Sequence, residues 1–79
     1  MTDTKKLLGK RIKQIRKSSG YTQEKLSELI GIETGSLSGI ESGRCFPSLA
    51  TLEKIANIVN VELKVFFEFE YNITIKDMK

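Results

Sequence analysis

The stretch Gln23–Gly43, QEKLSELIGIETGSLSGIESG, decides how the rest of the chain is read. Leu26, Leu29 and Ile30 recur at helical spacing, and Gly31 then closes that run. Glycine is the residue best suited to the left-handed turn that ends a helix. Leu37 and Ile40 mark a second short helix with its apolar side inward. Two short helices joined by a glycine turn make a helix-turn-helix unit, in which the second helix is offered to DNA.

The register is more telling than the two helices alone. Counting from Gln23 as position one, positions four, eight, ten, fifteen and eighteen are apolar: Leu26, Ile30, Ile32, Leu37 and Ile40. Ser27 is small at the point where the helices must cross, and a large side chain there would push them apart. This register resembles that of the Xre family of phage-repressor-like helix-turn-helix proteins, and the resemblance runs from about Leu7 to Phe67. It implies a mainly α, five-helix repressor-like domain that binds double-stranded DNA as a transcriptional regulator.

The resemblance also assigns roles to residues. Gln23 opens the second helix, where free backbone N–H groups and the positive dipole end favour phosphate; the matching family glutamine clamps the DNA backbone. Thr34, Gly35, Ser38 and Gly39 fall on the face presented to the major groove. Here the sequence departs from the family, which often carries Arg, Gln or Lys able to make bidentate base contacts. Two hydroxyls and two bare backbones stand instead. They either let the helix approach closely, with Thr34 packing on thymine methyls, or leave a face without strong base readout that serves a protein partner. Glu33 is a poor cap that would repel phosphate, or accept from a cytosine amino group. Ser42 and Arg44 follow the recognition helix where relatives grip phosphate, and Lys10 and Lys13 reach toward the same backbone. Arg16 and Glu41 match positions joined in the family by an ion pair, expected here to be substantially buried.

At 79 residues the chain is read as one domain, near the lower limit for a self-sufficient core. The net charge is +3, unevenly placed: residues 1–47 hold nine Lys/Arg against five Asp/Glu, and residues 48–79 hold four against five. A polyanion-binding surface in the first half fits that split. No apolar run is long enough to span a bilayer and Met1–Gly9 carries no signal-peptide pattern, so a cytoplasmic protein with no membrane partner is expected. There is no histidine, and the single cysteine, Cys45, can neither staple the domain nor build a zinc site. No Gly-Lys-Ser/Thr phosphate loop is present. Nothing here points to an enzyme, a cofactor or a small-molecule ligand.

In chain order, Asp3 or Thr4 caps a first helix that runs to about Ser18 and buries Leu8, Ile12 and Ile15. Thr22 caps the second helix. Ser48 caps a fourth with Leu52, Ile55, Ala56 and Val59 inward, and Asn60 ends it. Leu63, Phe66 and Phe67 suggest a short fifth. Then Phe67, Phe69, Tyr71, Ile73 and Ile75 alternate with polar residues, the pattern of a strand with one apolar face. That divides the chain into a DNA-binding domain, 1–67, and a strand extension, 68–79. A lone strand edge needs a partner, so the tail predicts a homodimer paired antiparallel about Asn72, on a palindromic operator. In that register Phe69 faces Ile75, Tyr71 faces Ile73, and Glu68 faces Lys76; centring on Tyr71 instead also aligns the apolar face but loses the Glu68–Lys76 attraction. The compact size and the Val65-Phe66-Phe67-Glu68 ending are similar to controller proteins of restriction–modification systems; antitoxin-type repressors share the fold.

Overall fold

A computed structural model describes residues 3–69. They form α1 (Thr4–Ser18), α2 (Gln23–Ile30), α3 (Thr34–Glu41), α4 (Leu49–Val59) and a closing 3-10 turn (Leu63–Phe67). Several boundaries have a local cause. The Asp3 carboxylate accepts the Lys6 N–H at 3.3 Å, and the Thr22 hydroxyl accepts that of Lys25 at 3.0 Å. The Ser48 hydroxyl accepts that of Thr51 at 3.1 Å. These caps satisfy donors that a helix start otherwise leaves bare. Gly31 ends α2 in the left-handed region at φ 78°, and its N–H returns to the Ser27 carbonyl at 2.9 Å. Asn60 ends α4 in the same region at φ 59°, a conformation asparagine tolerates better than most residues.

Every element contributes to one core. Leu8, Ile12 and Ile15 of α1 meet Leu26 and Ile30 of α2, Leu37 and Ile40 of α3, and the inner face of α4. Phe66 is fully buried; burial of a ring that size contributes roughly 1.5–3 kcal/mol, which is how a five-residue turn holds its place beneath α1 and α4. α1 crosses α3, and α2 packs on both α3 and α4. Ser27, 2% exposed, lies at the crossing of the two helices of the motif. Leu29 does not join the core: it is 43% exposed, on the outer side of α2.

Two expectations change. The anticipated fifth helix is a 3-10 turn, so the described residues hold four α-helices. Leu63–Phe67 is too short for a stable α-helix and rich in residues of low helix propensity. The strand does not begin at Phe67 either. Phe67 ends the 3-10 turn and is 45% exposed, whereas Phe69 packs against the core. Between them the Phe69 N–H donates to the Phe67 carbonyl at 3.1 Å, and the two rings meet edge to face at 6.2 Å. That tight turn breaks the alternation, and no strand occurs among the described residues. Tyr71, Ile73 and Ile75, and the pairing about Asn72, lie outside the described residues. Among the described residues, no helix is long and apolar enough to cross a membrane.

Candidate nucleic-acid interface

The base of the site is the Arg16–Glu41 pair. Arg16 leaves α1 and Glu41 ends α3, and their side chains are 7% and 2% exposed. Arg16 Nε donates to Glu41 Oε2 at 2.7 Å and a terminal guanidinium nitrogen donates to Oε1 at 3.1 Å, a two-pronged contact. The remaining terminal nitrogen donates to the Tyr21 carbonyl at 2.7 Å, which anchors the loop before α2. A planar fork suits this arrangement and an ammonium would not reproduce it.

Gln23 joins the same network. Its amide nitrogen donates to Glu41 Oε1 at 2.9 Å, and a carboxylate can only accept, which fixes the orientation of the amide. One N–H therefore faces inward and one remains for a ligand. Gln23 lines a shallow concavity with Lys13, Arg16, Thr22, Glu24 and Thr34. The structure thus gathers Lys13, Gln23 and Thr34 at one end of α3. Lys10 is elsewhere: it lines a separate concavity with Leu7, Arg11, Gln14, Glu68 and Phe69. There Arg11 Nε donates to the Val65 carbonyl at 3.1 Å and lies 3.8 Å from Glu68 through its guanidinium.

Along α3, Glu33, Thr34, Gly35 and Ser36 are exposed and Ser38 is half-buried. Glu33 sits at the cap position with no side-chain cap bond. Gly39 departs from the expectation of an outward face, because it is buried. A Cβ added there would lie 3.4 Å from Cys45 Sγ and 3.8 Å from an Arg44 guanidinium nitrogen. Its carbonyl accepts the Arg44 N–H at 2.9 Å and the Cys45 N–H at 3.3 Å, so the loop after α3 folds over it. The bare backbone at Gly39 serves that loop, and the Arg44 guanidinium lies over it. Ser42 donates its hydroxyl proton to the Gly39 carbonyl at 3.1 Å, which leaves that oxygen an acceptor and a poor partner for phosphate.

Gly35 has the opposite surroundings. A Cβ there meets nothing within 4 Å, and its φ is not left-handed. The fold makes no demand for glycine at this place. Gly35→Ala is accordingly expected to raise stability by about 0.5–1 kcal/mol. A thermal melt checks it, and a loss of stability would show an unseen steric demand.

Two contributions were not anticipated from the sequence. Ser27 shares a hydrogen bond of 3.1 Å with Thr34, so the small residue at the helix crossing also holds a side chain of the outer face. Gly9 lies buried where α1 meets the end of α3. A glycine in the middle of an amphipathic run was the available signal for the second; for the first, the sequence marked the small size of Ser27 at the crossing but not its bond to Thr34.

Residues 9–68 match the profile of a family described as a helix-turn-helix domain. The chain belongs to this helix-turn-helix family. The transcriptional regulator PuuR of Escherichia coli (strain K12) is 33% identical over 67 residues, which is 85% of this chain and 36% of PuuR. The chain therefore spans about a third of that regulator. Among solved structures of the family, the restriction–modification controller C.AhdI of Aeromonas hydrophila superposes with TM-score 0.75 at 29% identity, covering 78% of this chain and 94% of that one. SinR, the master regulator for biofilm formation, solved in complex with DNA, superposes with TM-score 0.72 at 35% identity, covering 77% and 98%.

Proposed function

We propose that the chain is a transcriptional regulator that binds double-stranded DNA sequence-specifically, as a homodimer on a palindromic operator. One observation carries the reading: the outer edge of α3 is flanked at both ends by groups able to hold phosphate. At its start are the free amide N–H of Gln23 and the Lys13 ammonium. At its far end is the exposed Arg44. Thr34, Gly35 and Ser38 lie between them as the base-facing set. SinR, solved with DNA, supports the same use of the fold here. In this reading residues 1–67 are the DNA-binding unit, and Phe69 of the extension packs against the same core. The chain works in the cytoplasm without a cofactor and catalyses nothing.

Phosphate contacts position a protein without reading sequence. Gln23→Ala and Arg44→Ala are therefore expected to weaken binding to all duplexes by similar factors, and to flatten the salt dependence by about one ion for Arg44. Titrating a panel of duplexes at several salt concentrations measures both. If the folded protein binds no duplex at low salt, the reading fails.

A second reading has one observation in its favour. No long polar side chain stands at Thr34, Gly35 or Ser38, so the face could dock a protein instead. Salt separates the two readings, because DNA binding weakens steeply with added salt and apolar association does not.

The homodimer reading rests on the alternation of Tyr71, Ile73 and Ile75 with polar residues. Two such tails pairing antiparallel would satisfy each other's edges and set two recognition helices roughly 34 Å apart, one turn of DNA. The solution mass of the full chain is expected to be that of a dimer, and of the chain without residues 70–79 that of a monomer. A monomeric full chain, or a shortened chain that stays wholly dimeric, removes the tail from this role.

A further inference from the structure

The hydrogen bond between Ser27 and Thr34 has a direction that follows from counting protons. A serine hydroxyl carries one proton. Ser27 donates it to the Glu24 carbonyl at 3.0 Å, and a carbonyl oxygen can only accept. Distance alone lets either hydroxyl donate across the 3.1 Å between them; with the Ser27 proton on the Glu24 carbonyl, the donor is Thr34. Ser27 is 2% exposed, so water does not readily take its place. Thr34, by contrast, is exposed at the first position of α3. With its proton turned inward, Thr34 Oγ1 keeps only lone pairs for a ligand. Its methyl group stands on a different stagger of the same Cβ.

We propose that Thr34 is a specificity-determining residue of fixed polarity, meeting a base edge as an acceptor and a methyl group and never as a donor. This rests on the reading of α3 as the base-facing helix. A threonine free to rotate can donate or accept, and so discriminates poorly. Ser27 removes half of that ambiguity. The groups that Thr34 can then recognise in the major groove are the amino groups of adenine and cytosine and the methyl of thymine. Purine N7, guanine O6 and thymine O4 are acceptors and gain nothing from it. An A·T pair offers an amino donor and a methyl together, so Thr34 favours A·T and rejects a guanine edge.

The experiment uses the full chain and the strongest-bound duplex from a randomised library. The pair of interest is the one whose preference changes in Thr34→Ala. At that pair, a 7-deazapurine removes only N7, and uracil in place of thymine removes only the methyl. The unsubstituted protein is expected to tolerate the 7-deazapurine within about twofold and to lose roughly three- to tenfold with uracil. Thr34→Ser, which drops the methyl, is expected to become indifferent to uracil. Ser27→Ala, which frees the proton, is expected to tolerate guanine at that pair and to become sensitive to the 7-deazapurine; its folding is verified by a thermal melt. Should that variant fail to fold, the two modified duplexes decide the matter with the unsubstituted protein alone. A tenfold loss with the 7-deazapurine and none with uracil would show Thr34 donating and overturn the proposal. If duplexes bind but Thr34→Ala shifts no base preference, this proposal falls and the DNA-binding reading stands. If no duplex binds, that reading falls first.

Discussion

Glu41→Ala is expected to lower the stability of the domain by about 3 kcal/mol, because it strands a buried guanidinium. Arg16 would lose two of its three hydrogen bonds, keeping only the Tyr21 carbonyl. Gln23 would lose its inward partner at the same time. A domain of this size has on the order of 4–12 kcal/mol in total, so the melting temperature is expected to fall by about 10–20 °C. A surface pair would behave differently, since exposed ion pairs contribute about 0–1 kcal/mol. The two cases are therefore far apart on a single melting curve, and an unchanged curve would end the buried-pair account. A second arm separates the stranded charge from the pair itself. Replacing both partners by apolar residues, Arg16→Met with Glu41→Leu, is expected to cost less than Glu41→Ala alone, because no uncompensated charge remains. The Tyr21 carbonyl is still left without its donor in that variant, which keeps the double change from being neutral.

How much of this could be read from the chain differs by the kind of interaction. Local rules were legible. Asp3, Thr22 and Ser48 cap helices, and Gly31 and Asn60 end them, because each needs only its own few neighbours. The spacing of Leu26, Ile30, Leu37 and Ile40 placed the core of the motif, while Leu29 stayed outside, since an eight-residue helix has room for only a narrow buried stripe. The pairing of Arg16 with Glu41, 25 residues apart, came from family register and not from spacing. What remained hidden depends on how the chain returns on itself. Gly39 looked like an open face, yet the following loop covers it. Phe67 and Phe69 looked like one face of a strand, yet a turn at Glu68 sends one ring outward and the other onto the core. Two apolar residues spaced two apart do not distinguish a strand from a turn whose ends are both apolar. The proton direction at Thr34 was hidden for a similar reason, since it depends on a serine seven residues earlier that is itself committed to a carbonyl.

Gly9→Ala is expected to destabilise the domain by about 2–3 kcal/mol, against the usual gain from replacing a helical glycine. An added Cβ would stand 2.3 Å from the Ile40 carbonyl oxygen and 2.7 Å from that of Glu41. Both atoms are backbone, so no rotamer change relieves the contact and α1 must move off α3. That movement acts on the place where Arg16 and Glu41 meet, because Glu41 supplies one of the two clashing carbonyls. Loss of packing and loosening of the ion pair therefore coincide. Alanine has a better helix propensity than glycine by about 1 kcal/mol, and that term alone predicts a stabler protein. Gly35→Ala is the internal control: it has the same propensity gain with nothing within 4 Å to collide with. Denaturant melts of the two variants should move in opposite directions from the parent. If both rise, the approach of α1 to α3 is loose enough to admit a methyl group and close packing at Gly9 is not what sets that crossing.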